Sequence, residues 1–386
     1  MTDLRIADHA EALADYVQAG ERRAATFGNR GPLRLDENGR LHPEVLDAYR
    51  QHGFYVFTNA LDQGEVAQLR AEINEMLDRA PIAPGATVDG FGRPALGRDY
   101  TIDPYLFIRP LSDPWGGTKL LAGRHPVKMA EPSPDSGAPD YTVHLIAGLL
   151  RDCPAALRLY AHPGVLAIAE AINGADFVPY NDVAFVKKAG LGGAVSWHQD
   201  GATHWESPQW HPEIHGFNYQ IQLYPTTAAN GLWVVPGSHL DGKIDIAALI
   251  AANNGDERLP QAIPLPCEPG DFTIVNRQVL HGSFPNTSPD PRVSFTFGFH
   301  QRTSIEGVEG KLTYKGADSG TGGYQAQQIF DRSAVIGLGI AARRDAFPHE
   351  TPYTYQPMVG HEALVANTAT NRNRILTDYN TRDLFI

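Results

Sequence analysis

Cysteine and long apolar runs are scarce in this sequence. Its 386 residues contain two cysteines, Cys153 and Cys267. Two are too few for a disulfide framework or a thiolate metal site and are typical of a reducing compartment. No apolar run approaches the roughly 20 residues that a membrane-spanning helix needs. Residues 1–5 lack the basic and apolar stretches of a signal peptide, so we expect a cytoplasmic protein.

Positive charge is also in deficit. Lysine and arginine number 32 against 44 acidic residues, a formal net charge of −12. This balance argues against nucleic acid and anionic membranes as partners. The 29 prolines and 38 glycines favour a turn-rich β architecture. We interpret the chain as one domain: a mostly helical part over residues 1–175 packs on a core over 176–300, and an extension covers 301–386.

The core region reads as a series of short strands. Its β-branched and aromatic runs are separated by turn signals such as Asn230-Gly231, which predicts mainly β structure with flanking helices around a jelly-roll. A helical insertion interrupts the strands over residues 241–260. The predicted strands lie at residues 177–188, 194–198, 217–224, 232–235, 272–275 and 292–299.

Helical patterns dominate the first half. Asp62 is suited to cap a helix in which apolar residues recur at spacings of three and four, and Pro43 suits the first turn of another. Residues 141–150 and 155–172 also have a helical pattern, with a restart at Pro163 and a stop at Gly174. Three further stretches are predicted as follows: a helix at residues 7–25, a strand at 53–57 and a long loop at 81–104.

Two stretches near the C-terminus are less regular. Residues 333–345 have the pattern of a further strand or helix, with too many glycines to decide between them. The glycine-rich residues 316–323 follow neither known phosphate-binding pattern and are interpreted as a flexible connection.

The sharpest chemical signal is His198-Gln199-Asp200. In a strand, residues two apart project from the same face, so His198 and Asp200 would point together. His281 is the best candidate for a third ligand. Two histidines and one carboxylate with open positions form the facial triad of non-haem Fe(II) oxygenases. Arg292 then supplies a planar fork that suits a co-substrate carboxylate.

Other readings of these histidines remain open. The sequence has 15 histidines, so a chance pair with aspartate is common. His204, His211 and His215 could form a second metal site or line the mouth of the active site, and we favour the mouth. His239 follows a turn and is interpreted as structural. Zinc hydrolysis can use the same ligand types, but the zinc motif H-E-x-x-H is absent and Arg292 would have no role.

Six short motifs follow one another along the core region. They are His198-Gln199-Asp200, Asn230-Gly231, Val234-Val235-Pro236-Gly237-Ser238-His239, Glu268-Pro269-Gly270-Asp271, His281-Gly282-Ser283 and Arg292-Val293-Ser294. In these motifs and their order the chain resembles the phytanoyl-CoA dioxygenase family over residues 43–300. The resemblance implies a double-stranded β-helix (a cupin-like jelly-roll), Fe(II), and 2-oxoglutarate that is consumed with O2 to give succinate and CO2.

The resemblance also implies individual roles. His198, Asp200 and His281 would ligate iron, Arg292 would pair with the distal carboxylate of 2-oxoglutarate, and Ser283 would help to hold it. Lys187 or Lys188 would also contribute to holding 2-oxoglutarate, although the match to the family is loose at these positions. Gln220 stands where many members carry tryptophan, unless the alignment shifts to Gln222.

Asp200 also bears on the type of reaction. Related halogenases have a small residue at this position, so Asp200 favours hydroxylation or another oxidation over halogenation. A lysine or arginine cluster that would suit coenzyme A phosphates is not evident, which favours a small organic metabolite as substrate. A zinc-dependent hydrolase and a non-catalytic binding jelly-roll are the alternatives, and the sequence leaves the oligomeric state open.

Overall fold

The computed structural model describes residues 4–311, 321–377 and 379, in which helices flank two main β-sheets. Part of the glycine-rich stretch, residues 316–320, lies outside the described residues. Within the described part of the chain, no helix is long and apolar enough to cross a membrane. The helices are α1 (Ile6–Ala24), α2 (Pro43–His52), α3 (Gln63–Asp78), α4 (Leu149–Asp152), α5 (Pro154–Tyr160), α6 (Pro163–Asn173), α7 (Ile246–Ala252), α8 (Arg302–Ile305), α9 (Ala326–Ala346) and α10 (Ala369–Leu376).

The strands divide between a large sheet, a small sheet and a separate pair of antiparallel strands. In chain order they are β1 (Arg30–Gly31), β2 (Phe54–Phe57), β3 (Tyr105–Ile108), β4 (Thr142–Ala147), β5 (Val178–Lys187), β6 (Val195–His198), β7 (Phe217–Gln222), β8 (Leu232–Val234), β9 (Ile263–Leu265), β10 (Phe272–Asn276), β11 (His281–Ser283), β12 (Arg292–His300), β13 (Glu309–Lys311) and β14 (Thr321–Gly323).

The large sheet has the order β1-β2-β10-β7-β12-β5-β4-β3, and the small sheet has the order β6-β11-β8-β9. All pairings are antiparallel except that of β1 with β2. From β5 to β12 the chain passes repeatedly between the two sheets. This alternation is the topology of a double-stranded β-helix, and the predicted jelly-roll core is confirmed.

The two faces of the large sheet have opposite character. Along β12, Phe295 and Phe297 enter an apolar core with helices α3, α5, α6 and α9. Burying each such side chain contributes roughly 1.5–3 kcal/mol. Arg292, Ser294 and Thr296 alternate with them and are also buried, so they face the space toward the small sheet. The polar interior is therefore fixed by the apolar packing behind it.

The small sheet is backed in the same way. Trp197 of β6 and Trp233 of β8 pack into a second apolar cluster with Leu13 of α1 and Ile246 of α7. Because neighbours along a strand point to opposite faces, Trp197 in this cluster directs His198 to the interior. The predicted helical insertion between residues 241 and 260 is α7, and it covers this outer face.

The N-terminal helix signals are confirmed. The Asp62 carboxylate accepts hydrogen bonds from the Gly64 and Glu65 amides at the start of α3, and Pro43 is the first residue of α2. Helix α2 ends at Gly53, whose φ of 78° lies in the left-handed region. A Cβ atom at Gly53 would lie 2.2 Å from Val279 Cγ2, so glycine is needed here for conformation and for space.

The helical prediction for residues 141–150 is wrong. Residues Thr142–Ala147 form β4, which pairs with both β3 and β5 before the short helix α4 begins. Pairing on both edges stabilises an extended conformation despite the helix-like spacing of apolar residues. The restart at Pro163 and the stop at Gly174 are confirmed as the bounds of α6.

Residues 333–345 are helical and belong to α9. The glycines that obscured this assignment serve close packing. A Cβ atom at Gly337 would lie 2.9 Å from the Val365 side chain, and one at Gly339 would lie 2.9 Å from the carbonyl oxygen of Leu157. Neighbouring chain segments therefore approach α9 at its glycine positions.

Candidate metal centre

Two neighbouring strands of the small sheet bring the predicted histidines together. His198 ends β6, His281 begins β11, and the two residues are direct antiparallel partners. Their ring centroids are 4.1 Å apart. The strand stops at His198, so Asp200 lies just beyond it and not on it as the spacing predicted. Its amide nitrogen donates to the carbonyl oxygen of Arg277 at 2.7 Å, which holds the Asp200 backbone beside the strand end.

The three side chains converge on one point. His198 Nε2 lies 3.4 Å from Asp200 Oδ1, and His281 Nε2 lies 3.7 Å from Asp200 Oδ2. One potential ligand atom from each residue lies within 4.8 Å of the other two, and all three residues are buried. Among the described residues this is the one such group of histidine, cysteine or acidic side chains.

Backbone carbonyls fix the orientation of both imidazoles. His198 Nδ1 lies 2.9 Å from the Ser196 oxygen, and His281 Nδ1 lies 2.8 Å from the Val279 oxygen. A carbonyl oxygen only accepts, so each Nδ1 carries the proton and each Nε2 presents a lone pair toward Asp200. This is the usual arrangement by which a backbone acceptor sets the tautomer of a metal-binding histidine.

Electrostatics keep His281 and Asp200 in the protonation states that bind a metal. Burial and the neighbouring His198 lower the pKa of His281 to about 3, so its imidazole is neutral near pH 7. Burial alone would raise the pKa of the Asp200 carboxyl. The Arg124 guanidinium beside it opposes burial, and that pKa is held well below its usual value. Two imidazoles and one carboxylate fit Fe(II) in a facial arrangement.

Both Asp200 oxygens have protein donors. Asn218 Nδ2 donates to Oδ2 at 2.7 Å, and Arg124 Nη1 lies 3.0 Å from Oδ1. The sequence reasoning missed both residues. Asn218 carried a usable signal, because it shares one face of the predicted β7 with Gln220 and Gln222. Arg124 lies in a loop without periodicity and gave no signal.

A third missed residue, His125, lies behind the triad. The His125 ring stacks on His198 with ring centroids 4.2 Å apart, and its Nδ1 lies 3.1 Å from the Ser196 carbonyl oxygen. Burial, followed by His198, lowers the pKa of His125 well below its usual value, so the stacked ring is neutral. The position of the His125 ring indicates that it supports the His198 ring sterically.

The facing sheet supplies a polar pocket around Arg292. Arg292 is buried, and its Nη2 donates to Gln220 Oε1 at 2.7 Å. Buried polar atoms nearby on the same sheet face have no hydrogen-bond partner: Arg292 Nε, Ser294 Oγ, Thr296 Oγ1, Thr273 Oγ1 and Gln222 Oε1. Each such atom costs about 1–3 kcal/mol unless a ligand satisfies it. A guanidinium surrounded by hydroxyl and amide groups fits the carboxylate of 2-oxoglutarate.

His144 is a further residue that the sequence reasoning missed here. Both of its ring nitrogens are buried without a partner. Burial, with smaller contributions from Lys187 and Arg292, lowers its pKa to about 3. The helical prediction for residues 141–150 gives His144 no place on a sheet face, whereas the structure places it in β4.

The other predicted co-substrate residues are placed as follows. Lys187 is directly opposite Arg292 in the sheet, and its Nζ donates to the carbonyl oxygens of Phe284 at 2.7 Å and Ser283 at 3.4 Å. Burial, then the charge of Arg292, lowers the pKa of the Lys187 amine well below its usual value. Ser283 is buried at the end of β11, whereas Lys188 is exposed. Lys187 thus ties the two sheets together beside the pocket.

The remaining histidines do not join the centre. His215 Nδ1 lies 2.9 Å from Gln278 Oε1, and its Nε2 contacts the Thr203 carbonyl oxygen. His204 lies near His215, with ring centroids 6.1 Å apart. His239 Nε2 lies 3.0 Å from the Arg50 carbonyl oxygen. A second metal site formed by this group is not found among the described residues.

Comparison with known proteins gives a consistent match. A family model described as Phytanoyl-CoA dioxygenase (PhyH) matches residues 49–294, a segment that contains the triad and Arg292. The chain is 22% identical to Phytanoyl-CoA dioxygenase of Arabidopsis thaliana over 268 residues, which cover 67% of this chain and 88% of the relative. It is 23% identical to Ectoine dioxygenase of Bordetella parapertussis over 302 residues, 72% of this chain and 82% of the relative.

The chain is also similar to a solved structure. The crystal structure of EctD from S. alaskensis with bound Fe superposes with a TM-score of 0.46 at 16% identity, covering 70% of this chain and 81% of that chain.

Proposed function

The chain belongs to the phytanoyl-CoA dioxygenase family and is an Fe(II)/2-oxoglutarate-dependent dioxygenase, and from this premise we propose that it hydroxylates, or otherwise oxidises, an unactivated C–H bond of a small organic metabolite. The observation that carries the proposal is the convergence of His198, Asp200 and His281, with ligand atoms within 4.8 Å of one another. The proposal treats residues 1–386 as a single oxygenase domain.

In this proposal the triad holds the metal on one side only. The Nε2 atoms of His198 and His281 and one Asp200 oxygen are the protein ligands, and the remaining positions are left for co-substrate and O2. When bound, the iron and 2-oxoglutarate supply the oxidising chemistry, with one oxygen atom of O2 entering the product and the other entering succinate as CO2 leaves.

The facing sheet would position the co-substrate. Arg292 would form a charge-assisted pair with the distal carboxylate, and the unpartnered Ser294 and Thr296 hydroxyls offer further hydrogen bonds. Gln220 is uncharged, but its Oε1 accepts a hydrogen bond from Arg292 and so fixes one edge of the guanidinium. Lys187 and Ser283 would support the same end of the pocket, Lys187 mainly by tying the sheets together. Their burial excludes water, which strengthens each electrostatic contact.

Turnover of 2-oxoglutarate tests this proposal. We expect purified protein supplied with Fe(II), ascorbate, 2-oxoglutarate and O2 to form succinate, at least slowly without substrate, and His198→Ala to form none. His349→Ala, which removes an exposed imidazole, is the matched control and should retain the wild-type rate. Tightly bound zinc with no iron and no succinate would contradict the proposal and favour a hydrolase. Bound iron without turnover would favour a binding role.

A second experiment tests the co-substrate pocket. We expect Arg292→Met to weaken the apparent affinity for 2-oxoglutarate by about tenfold to hundredfold, since a hydrogen-bonded charge contributes about 1.5–3 kcal/mol. Arg292→Lys should recover part of this loss, because it keeps the charge but not the planar fork. Metal affinity should not change. An unchanged KM for 2-oxoglutarate in Arg292→Met would exclude Arg292 from the pocket.

A further inference from the structure

The inner face of the large sheet, which is the face toward the small sheet, divides into a polar half and an apolar half. The polar half lies on β7 and β12 and carries Arg292, Gln220 and the hydroxyl groups that have no hydrogen-bond partner. The apolar half lies beside it, on β5, β4 and the edge strand β3. We call its side chains the apolar strip, which consists of Val183, Ala147, Phe185, Leu145 and Leu106.

The register of the strands places the apolar strip on the inner face. Leu106 is the direct partner of Leu145, and Leu145 is the direct partner of Phe185. Phe185 is in turn opposite Ser294 of the polar half. Direct partners in an antiparallel sheet project from the same face, so these three apolar side chains form one row across three strands. The residues that alternate with the row lie in the apolar core behind the sheet: Tyr105, Ile146 and Ala184.

The other two members of the strip connect this row to the metal centre. Val183 lies between Ala147 on one side and Thr296 on the other. Gly298, the next inner-face position of β12, is opposite Asn218, whose amide donates to the triad carboxylate. From the row to this level β12 advances by roughly 13 Å. The apolar strip therefore leads from the surroundings of the triad to the edge of the sheet.

The apolar strip becomes more exposed with distance from the metal centre. Val183 is fully buried, whereas Phe185 and Leu145 are half-buried. Leu106, on the edge strand, is 39% exposed. This gradient is what an entry path requires, because a molecule that arrives from solvent meets Leu106 first and Val183 last.

The chemistry of the strip indicates which molecule can cover it. Its five side chains are hydrocarbon throughout, so they offer neither a hydrogen bond nor a charge. The polar half and the metal account for both carboxylates of 2-oxoglutarate, so this co-substrate has no need of the strip. Large apolar side chains that stay open to solvent in one contiguous row are typical of ligand-binding grooves and interaction sites.

We propose that the apolar strip binds a hydrocarbon chain of the substrate, so that the enzyme oxidises a molecule with an extended aliphatic part. The inference rests on the proposed function and names the substrate class for the same site. The row is one side chain wide and crosses three strands, which is roughly 10 Å at the usual strand spacing. This narrow shape suits an extended chain. The carbon that is oxidised would lie beside the triad, and the chain would pass Val183 and end near Leu106.

A second copy of this chain is the alternative cover for the row. Strand β3 is an edge strand, and exposed edge strands are places where another chain can pair. The two occupants differ in measurable ways. A substrate chain gains affinity with each methylene group that it buries, whereas a second copy makes the oligomeric state depend on Leu106.

The experiment uses the full chain loaded with Mn(II) and saturating 2-oxoglutarate, so that no turnover occurs. The probes are uncharged straight-chain primary alcohols from butanol to octanol. Binding is measured by the Mn(II)-induced relaxation of probe protons in NMR titrations, and the affinities for Mn(II) and 2-oxoglutarate are measured separately. Leu106→Thr and Leu145→Thr make the row polar with a residue that suits strands. Leu364→Thr, which removes a leucine that is 47% exposed outside the strip, is the control.

We expect wild type and Leu364→Thr to gain about fourfold in affinity for each added methylene group, the equivalent of about 0.8 kcal/mol. Leu106→Thr should follow wild type for the shorter alcohols and gain little from the last methylene groups. Leu145→Thr should stop gaining at a shorter chain than Leu106→Thr does, because Leu145 lies nearer the centre. The affinities for Mn(II) and 2-oxoglutarate should be the same in all four proteins.

Three results would overturn the inference. The first is an affinity of wild type that does not depend on chain length, and the second is the same gain per methylene group in wild type and both row variants. The third is a loss of Mn(II) affinity in both row variants, since the row would then support the fold and not a ligand. A wild-type dimer that Leu106→Thr converts to a monomer in analytical ultracentrifugation would assign the row to a second copy and overturn it too. If wild type binds neither Mn(II) nor 2-oxoglutarate, the proposed function itself fails.

Discussion

Two kinds of buried histidine occur in this protein. His198 and His281 use Nδ1 for a carbonyl two residues earlier in the chain and direct Nε2 at a shared carboxylate. His215 instead uses both ring nitrogens within the fold, for Gln278 Oε1 and the Thr203 carbonyl oxygen. Burial lowers the pKa of His281 in the first kind and of His215 in the second, so neither burial nor a lowered pKa identifies a ligand. The direction of the remaining lone pair does.

His162 belongs to the second kind in a different way. Its Nδ1 accepts from the Gly164 amide at 3.1 Å and so caps helix α6. A lone pair committed to a backbone donor is unavailable to a metal. We therefore expect substitutions at the site of the first kind to abolish activity. Substitutions of the second kind should lower the free energy of unfolding. Three substitutions test it.

The largest effect is expected from Asp200→Ala. This variant removes the carboxylate on which both Nε2 atoms converge, and we expect it to abolish hydroxylation. Partners of metal ligands typically contribute tenfold to hundredfold in metal affinity, so loss of a ligand should weaken iron binding by on the order of a hundredfold or more. Activity and metal affinity are measured together. Product formation at the wild-type rate would exclude Asp200 from the mechanism and would contradict the distinction between the two kinds of histidine.

The second effect concerns stability and not activity. His215→Ala leaves Gln278 Oε1 and the Thr203 carbonyl oxygen without their partner and opens space beside Trp205, whose ring lies 4.6 Å from His215 between centroids. We expect unfolding free energy to fall by about 2–4 kcal/mol, from lost hydrogen bonds and lost packing. Denaturant unfolding measures this change, and His349→Ala should show almost none.

The same variant also tests the assignment of ligands. Metal affinity of His215→Ala should stay within about threefold of wild type, because its nitrogens are directed into the fold. A loss of metal affinity as large as that of Asp200→Ala, at unchanged stability, would place His215 in the first kind of histidine.

The sequence could predict that His198, Asp200 and His281 lie together because short motifs place them at the ends of recognisable strands, whereas their role as ligands and the role of Arg292 stay predictions. The structure brings His198, Asp200 and His281 together even though Asp200 lies past the end of β6. Asn218 was predictable in principle from its shared strand face with Gln220. Arg124 and His125 were not, since their loop is brought to the centre by tertiary contacts that leave no periodic pattern.

The error at residues 141–150 has a related cause. The apolar spacing there suits a helix, but the segment pairs with one strand on each of its two edges. Sheet pairing is decided by residues far away in sequence, so local spacing does not reveal it. The misread strand concealed His144, whose unpartnered ring nitrogens lie close enough to Arg292 and Lys187 for those charges to lower its pKa.

The smallest effect is expected from His162→Asn. Burial, then the charge of Arg343, lowers the pKa of His162 to about 4, below the value of about 6.5 expected in the unfolded chain. Between these two values the unfolded state binds a proton that the native state does not, so unfolding free energy decreases as pH falls from about 6.5 to about 4. Asparagine can also cap a helix but does not titrate. We therefore expect similar stability near pH 7 and a dependence shallower by up to about 1.4 kcal/mol per pH unit in this window. Denaturant unfolding at several pH values measures both slopes, and because wild type and variant carry the same metal site, the difference between them isolates His162. Identical slopes would show that His162 is protonated in the native state, in which case the lone pair at Nδ1 does not cap α6 and His162 leaves the second kind.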